Sequence, residues 1–578
     1  MTTTADVLAM LDELIRLIIL DTESKQSFQV RGYENARRGI ETFGRDVTTL
    51  SATELTAIAG VGKSTAAKIR ELVDTGTAAK LDDLRAKYPA EFVELSQIPG
   101  VGPKTLKMMR SKLGIENLEM LVAAIEDGQI RTLPRMGAQS EAKIAKAIKR
   151  LGMGGGDRRI PSVQAMTIAT RLVDDLGALP FVENVQYCGS LRRMAETVGD
   201  IDIAVASLDS TAVTDTVLNH PLTHEVVGSG STKTTFITRS NVSVDVRVVK
   251  PESFGAATLY FTGSKAHNVA LRQRAIAADM LLNEYGLFPN GSDKPVAAAN
   301  EDDIYSALGL SPIPPPMRED TGEIQAAANA SLPSVVQLND IKGDLHFHTD
   351  QSGDGRTSLP DMVAAAAARG YEYLAITEHG EELSINGSSK LELEAHRDAI
   401  AEVQIDYPDM TLLWGCELNI GPTGELDYDP DFRSSFDYTV ASIHSHFDGT
   451  SRNQTARMVK AISDPTVHSI GHLTGRYIGR RPGIELEIDV LLEALFHFDV
   501  ALEINGALDR MDASAEVVRK AVERGVKLAI NSDSHHHLDL RRTEWGVAIA
   551  QKGWAPAELI INTWPRDKFL AWVESKKG

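Results

Sequence analysis

Cysteine is nearly missing from this chain, with two in 578 residues, Cys188 and Cys416. Two thiols far apart, in what read as different domains, supply neither a disulfide framework nor a thiolate zinc site, and they fit a reducing compartment. Long apolar runs are missing too: none approaches the ~20 residues of a membrane-spanning helix. The apolar start LIRLIIL is short, is interrupted by Arg16 and lacks a small-residue cleavage site. The expectation is a soluble cytoplasmic protein with no membrane partner. Positive charge is also in deficit, 60 Lys and Arg against 80 Asp and Glu for a net charge of −20, which taken whole argues against nucleic acid. The deficit is uneven. Residues 1–150 carry 22 basic and 20 acidic side chains, 151–340 carry 14 and 22, and 341–578 carry 24 and 38. The front is the least acidic part, and the back, rich in His and Asp, can offset its charge with bound metal. Contact with nucleic acid must then rely on local basic surfaces and divalent ions, with steep salt dependence.

What is present is a chain with 43% hydrophobic residues, long enough for several cores and about three to five domains. Its densest stretch is GSLRRMAETVGDID, 189–202, behind a strand-like run at 185–188 and leading into the alternating IDIAVAS. Asp200 and Asp202 lie two apart, so on a strand both carboxylates share one face. Such a pair repels itself unless cations intervene, and hard oxygen ligands suit Mg²⁺ or Mn²⁺. The Gly-Ser turn and Arg192/Arg193 before it supply amides and positive charge for a triphosphate. Nucleotidyl transfer at a two-metal site is the working expectation.

Residues 5–80 read as helical, with i, i+3, i+4 apolar spacing in ADVLAMLDELIRLI and a second helix over about 33–43. In IAGVGKSTAAKIREL, Gly60 and Gly62 make a tight turn that opens a helix carrying Lys63 and Lys68. A turn of this kind grips a phosphate through backbone amides and the helix dipole without reading bases. The pattern returns at 98–113 with Gly100, Gly102 and Lys104, and in degenerate form, without the GxG, as LPRMGAQSEAKIAKAI at 133–148. Three copies make an internal repeat and predict sequence-independent DNA binding. Lys68 is either a phosphate contact or an amine able to attack an aldehyde sugar. A Gly-rich break at 151–157 closes this region.

In VSVDVRVV the valines alternate with Asp245 and Arg247, which makes Asp245 available as a third carboxylate if the fold brings it beside Asp200 and Asp202. YFTGS, 260–264, reads as an aromatic pair followed by a turn at Gly263, after which Asn268 and Arg272 lie four apart on one helical face. GSLRRMAETVGDID, VDVRVV and YFTGSKAHN, in this order behind helical hairpins, resemble the family X DNA polymerases, in the bacterial form with a C-terminal PHP domain. The resemblance implies that Asp200, Asp202 and Asp245 are the metal-binding catalytic carboxylates and that Ser190 and Arg193 hold the triphosphate. It also implies that Gly189 and Gly263 shape the nucleotide site, that Tyr260 and Phe261 crowd the sugar 2′ position, and that Asn268 and Arg272 contact the nascent pair. Lys68 falls where relatives with lyase activity carry a Schiff-base lysine, among neighbours that match only loosely.

After the Pro-rich SPIPPPMRED the composition changes, and strands alternate with helices from Gly343 to about Val573, the pattern of an α/β barrel. Run after run ends in a ligand type: His346, His348 and Asp354, then His379, Glu417, His444, His472, Asp533 and His535. Without Cys, such a set suits Mn²⁺, Zn²⁺ or Fe²⁺, and a cluster of ions can activate water against a phosphodiester. The pattern resembles the PHP phosphoesterases, which implies a three-metal site with 3′-to-5′ exonuclease and abasic-site endonuclease chemistry. Three departures stand out: an extra Gly353 that leaves Asp350 as a rival to Asp354, Glu378 where Asp usually precedes the histidine, and His446 where Arg is common.

The expected architecture is multidomain α/β. A small helical DNA-binding domain spans 1–82, a fingers-like helical domain 83–155, a nucleotidyltransferase palm 156–262 and a thumb 263–320, with a linker at 321–340 and a PHP barrel at 341–578. The expected function is short-gap filling in DNA repair by a monomer acting on gapped or primed DNA and dNTPs, with trimming of 3′ ends. Two alternatives stay open at this point: a PHP nuclease whose polymerase half only binds DNA, and a scaffold on DNA ends.

Overall fold

Apolar residues at helical spacing build the first unit. Val7, Leu11, Leu14 and Ile18 line one face of helix Thr4–Thr22 and are buried. The computed structural model describes residues 4–23, 27–43, 47–98, 100–150, 159–383 and 386–576; the Gly-rich break at 151–157 lies outside them. Contacts divide the chain into two units, Met1–Arg158 and Arg159–Gly578. In the first, one buried apolar cluster runs from Val7 to Ile148, so the stretches 1–82 and 83–155 share a core. The second helix begins at Phe28, before the expected start, because Ser27 caps it by accepting from Val30 N and Gly32 sits in open space within it.

All three hairpin copies adopt the same turn. Gly60 and Gly100 have φ of +80° and +92°, and the third copy places Arg135 there at +63°. In each, the next residue donates its amide back three positions: Val61 to Ile58, Val101 to Ile98, and Met136 to Leu133. A non-glycine in the left-handed region costs roughly 1 kcal/mol, which explains why the third copy is hard to recognise and still folds alike. Helices Lys63–Thr75, Pro103–Leu113 and Ala138–Arg150 follow the three turns.

The second unit begins with a short pairing of β1 (Ile160–Pro161) and β3 (Thr197–Val198) beside a mixed five-stranded sheet. The sheet is made of β2 (Asn184–Tyr187), β4 (Asp200–Ala206), β5 (Glu225–Ser229), β6 (Lys233–Ile237) and β7 (Ser243–Val249), in the order β2-β4-β7-β6-β5. Its apolar face, with Ile201, Ile203, Val244 and Val246, is buried with Leu172 of helix Ser162–Gly177 and Val217 of helix Ser210–Leu218. Helices Phe254–Thr262 and Lys265–Ala277 follow, then the hairpin β8 (Met280–Asn283) and β9 (Gly286–Pro289). The segment 321–340 carries structure of its own: Glu323–Ala328 is helical, and Ala327 and Val335 are buried with Ile313 and Met317.

The barrel strands are β10 (Gly343–Phe347), β11 (Tyr373–His379), β12 (Thr411–Asn419), β13 (Tyr438–Ser442), β14 (Ser469–Ile470), β15 (Ala501–Asn505) and β16 (Leu528–Asn531), all parallel and in sequence order. The ends of the sheet meet where Asp533 N donates to His346 O at 2.9 Å and His348 N to Ser534 O at 2.8 Å. The barrel is therefore nearly closed. Its strand residues are buried almost without a break, as in a parallel sheet covered by helices. One buried cluster contains both palm residues such as Ile203 and barrel residues such as Ile376, so palm and barrel share a core.

Candidate active sites

Strand register decides the first site. β4 and β7 are parallel neighbours, and Asp202 lies directly opposite Asp245, with Asp200 opposite Ser243. The half-buried Asp245 accepts from Thr235 Oγ1 at 2.6 Å and pairs with Lys233 Nζ at 2.6 Å, both from β6. Burial pushes the Asp202 carboxyl up to about 7, and the charges of Asp200 and Asp245 push the same way. Crowded carboxylates of hard oxygen character, one of them unwilling to ionise alone, fit a divalent cation. A cation bound here would displace the proton that Asp202 holds below about 7, so less Mg²⁺ should be needed for half-maximal activity as pH rises through that value. A Mg²⁺ titration of activity between pH 6 and 8 checks this; a flat midpoint would count against it.

Gly189 adopts φ +64°, and a Cβ there would come within 2.7 Å of Asp202 Oδ2. The turn can approach the carboxylate only with a glycine at this position. If this is the nucleotidyl-transfer site expected from the sequence, Gly189→Ala lowers nucleotide addition about 100-fold through a displaced carboxylate, with little effect on the barrel. Single-turnover insertion kinetics measure it.

Ser190 follows on the short helix Gly189–Arg192. Arg192 does not face open space: it donates to Thr262 Oγ1 at 2.8 Å and pairs with Glu301, which Arg318 holds from the other side at 2.7 Å. Arg193 donates to the Thr262 carbonyl and lies 3.2 Å from Glu319 Oε1. The turn expected at Gly263 is present, and the aromatic pair before it is helical. Tyr260 and Phe261 are the last turn of a helix that ends at Thr262, and Gly263, φ +68°, makes the break. That helix is buried over most of its length, so its sequence lacks the apolar/polar period that marks a helix. The two rings meet edge to face at 5.2 Å, and the Arg247 guanidinium lies 4.4 Å above Phe261. Asn268 Nδ2 donates to the Tyr260 carbonyl at 2.7 Å, and Arg272 Nε to the Asn268 carbonyl at 3.3 Å. Tyr260, Asn268 and Arg272 line a small cleft with Ala256, Leu259, Leu282 and Asn283.

In the other unit, Gly62 and Gly102 stand as N-caps of helices whose first amides receive no side-chain cap. Lys63 and Lys104 are exposed. Lys68 is half-buried, with Nζ 2.8 Å from Ser64 Oγ and 6.0 Å from the Tyr33 ring.

The second site lies at the C-terminal ends of the barrel strands and gathers all nine expected residues. Glu417 stands at its centre. Its Oε1 lies 2.9 Å from His472 Nε2, 3.3 Å from His444 Nε2 and 3.4 Å from His346 Nε2. Its Oε2 lies 2.8 Å from His379 Nδ1 and 3.6 Å from His348 Nε2. Asp354 Oδ1 is 3.5 Å from both His379 Nε2 and His535 Nε2. Asp533 Oδ1 is 3.6 Å from His348 Nε2 and 3.8 Å from His346 Nε2. Three trios bring one ligand atom from each residue within 4.8 Å of one another: His348/His379/His535, His346/His348/Asp533 and His379/Glu417/His444.

Buried atoms that point into this cluster lack hydrogen-bond partners, among them His346 Nε2, His348 Nε2, Asp354 Oδ1 and Glu417 Oε2. Buried polar atoms left unpaired cost about 1–3 kcal/mol each, so a cluster of them fits bound metal. The electrostatics of the cluster agree. Burial and the neighbouring His379 and His535 hold His348 well below its usual range. Burial also disfavours the Glu417 charge, yet His444 and His346 hold that carboxyl well down.

The two rival acids of the first ligand loop take different places. Asp350 is exposed, whereas Asp354 reaches two histidines and accepts from Asn386 Nδ2 at 2.7 Å. Glu378 points away from the ligand atoms and clamps that loop, accepting from Thr349 N, Thr349 Oγ1 and Ser352 Oγ. His446 is exposed. Sequence reasoning missed the residues that orient the ligands. Glu503 of β15 takes His346 Nδ1 at 2.6 Å, and Asn419 Oδ1 takes His444 Nδ1 at 2.7 Å. Glu503 was findable as the lone acid in ALEIN, a strand run that contributes no ligand itself.

Fold and sites together define a protein with two metal-dependent phosphoryl-transfer centres. The comparisons with known proteins agree part by part. Family models match at 3–78 (helix-hairpin-helix domain), 92–150 (SAM-like helix-hairpin-helix tandem), 257–319 (DNA polymerase beta thumb) and 344–532 (PHP domain). The chain is 32% identical over 560 residues to the DNA polymerase/3′-5′ exonuclease PolX of Bacillus subtilis, covering 96% of this chain and 97% of that one. Over 230 residues it is 28% identical to a probable phosphatase of Caldicellulosiruptor bescii, covering 38% and 91% of the two chains. It is also 30% identical over 252 residues to the probable phosphatase YcdX of Shigella flexneri, covering 40% and 94%. The chain belongs to the family X DNA polymerases that carry a C-terminal PHP domain. Among the described residues no helix is long and apolar enough to cross a membrane.

Proposed function

We propose that the chain is a DNA-directed DNA polymerase that fills short gaps during repair and trims 3′ ends at its separate barrel centre. The observation that carries the reading is the pairing of two sites in one chain: Asp202 opposite Asp245 in the palm, and nine ligand-type residues gathered at the barrel mouth. In the palm, Asp200, Asp202 and Asp245 would hold Mg²⁺ or Mn²⁺. Ser190, Arg193 and the amides of the turn opened by Gly189 would hold the dNTP triphosphate. The primer 3′-oxygen attacks the α-phosphorus, its proton passes toward Asp245, and pyrophosphate leaves. Tyr260 and Phe261 would crowd the sugar 2′ position, Gly263 lets the helix break beside them, and Asn268 and Arg272 would touch the nascent pair.

The nine barrel residues would hold three ions, of Mn²⁺, Zn²⁺ or Fe²⁺. Bound metal at both centres supplies charge neutralisation on phosphate and a lowered pKa for the attacking oxygen. In the barrel, Glu503 and Asn419 fix the rings of His346 and His444 and thereby which nitrogen faces the cluster. The same centre would cleave at abasic sites. The hairpins at Gly60, Gly62, Lys63 and Lys68 and at Gly100, Gly102 and Lys104 would grip DNA phosphates without reading sequence. The enzyme would act as a cytoplasmic monomer. Primer extension on gapped DNA with Mg²⁺ and dNTPs tests the reading, and a wild-type protein that never extends a primer defeats it.

A further inference from the structure

Helix Arg542–Lys552 of the barrel touches both centres. At its start Arg542 NH1 donates to the carbonyl of Asp533 at 3.0 Å. At its end the Lys552 ammonium lies 2.7 Å from the carbonyl of Arg193 and 2.7 Å from Glu319 Oε1. That same Glu319 oxygen is 3.2 Å from Arg193 Nε. Three residues further along the palm segment, Glu196 pairs with Arg476 of the barrel at 2.8 Å. All three members of the Arg193–Glu319–Lys552 group are shielded, with side chains 15%, 29% and 22% exposed, so water screens their charges only partly.

We propose that Lys552 is a positioning residue of the polymerase centre, contributed by the barrel, which holds Arg193 available to the triphosphate by sharing the charge of Glu319. The inference rests on Arg193 binding the triphosphate. A carboxylate alone beside a guanidinium competes directly with a phosphate for it. An ammonium on the same carboxylate oxygen weakens that competition, and its second bond, to the Arg193 carbonyl, fixes the backbone from which the guanidinium projects. Lys552 makes no contact with any of the nine barrel residues, so degradation of 3′ ends should not depend on it.

The test is single-nucleotide insertion on gapped DNA, with dNTP binding followed separately by a fluorescent nucleotide. Lys552→Met is expected to raise KM for dNTP about tenfold, the scale of one charge-assisted contact, with kcat within about twofold. Lys552→Arg should stay near wild type. Glu319→Gln added to Lys552→Met should restore KM, because it removes the competitor. Unchanged 3′ degradation shows that the variants fold. A double variant as impaired as Lys552→Met overturns the proposal in favour of a mere brace. Arg193→Ala separates the two readings. If it raises KM and Lys552→Met does not, the proposal alone fails; if it leaves KM unchanged, the role of Arg193 fails and the proposal with it.

Discussion

Glu417→Gln should abolish degradation of 3′ ends, by at least about 10³-fold, and should empty the barrel of metal. Glu417 is buried and lies within 3.6 Å of nitrogens on His346, His348, His379, His444 and His472. An amide of the same shape removes the charge that would hold the ions, and its N–H groups would take up the ring nitrogens of His346 and His444 that would otherwise face metal. The expected result is loss of nuclease product together with a fall in metal content measured by elemental analysis, while primer extension continues. The conservative substitution limits damage to the barrel core, and retained extension by the same preparation shows that the palm is folded. Metal retained at wild-type content would contradict the central place given to Glu417.

Asp245→Asn should have the complementary effect, a loss of nucleotide addition of at least about 10³-fold with 3′ degradation intact. The side chain keeps its shape, and Thr235 can still donate to its oxygen. What disappears is the charge opposite Asp202 and, in the proposed mechanism, the group that receives the 3′-hydroxyl proton. Lys233, which pairs with Asp245 at 2.6 Å, would then face a neutral amide, so the variant loses both its cation site and that ion pair. Single-turnover extension with saturating dNTP separates this loss in the chemical step from weaker nucleotide binding.

Much of both sites was legible in the sequence for local reasons. Asp200 and Asp202 share a face because strand side chains alternate, and that follows from spacing alone. The barrel residues were legible because each closes an apolar run, the place where parallel strands present chemistry. What stayed hidden was non-local. Nothing in VSVDVRVV places Asp245 opposite Asp202; that depends on β4 and β7 pairing in parallel across forty residues. Asp350 and Asp354 are told apart only by the fold, which leaves Asp350 exposed and brings Asp354 to Asn386 and two histidines. Glu503 was passed over because its strand ends in Asn and donates nothing to the cluster directly. The third hairpin was legible only in degenerate form, because Arg135 takes the left-handed position that glycine announces in the other two copies. The helix Phe254–Thr262 hid for the opposite reason: buried over most of its length, it shows no apolar period. The ties between barrel and palm through Lys552 and Arg476 were beyond sequence reasoning altogether, as they are single charged side chains meeting across elements far apart in the chain.

The central claim is that one chain carries two separable phosphoryl-transfer centres, one adding nucleotides and one removing them. The most direct measurement follows a single labelled primer on gapped DNA with dNTPs, Mg²⁺ and Mn²⁺, and scores extended and shortened products together for wild type, Asp202→Ala and His346→Ala. The account predicts both products from wild type, only shortened primers from Asp202→Ala and only extended primers from His346→Ala. Loss of both products in either folded variant, or shortened primers persisting in His346→Ala, would contradict it.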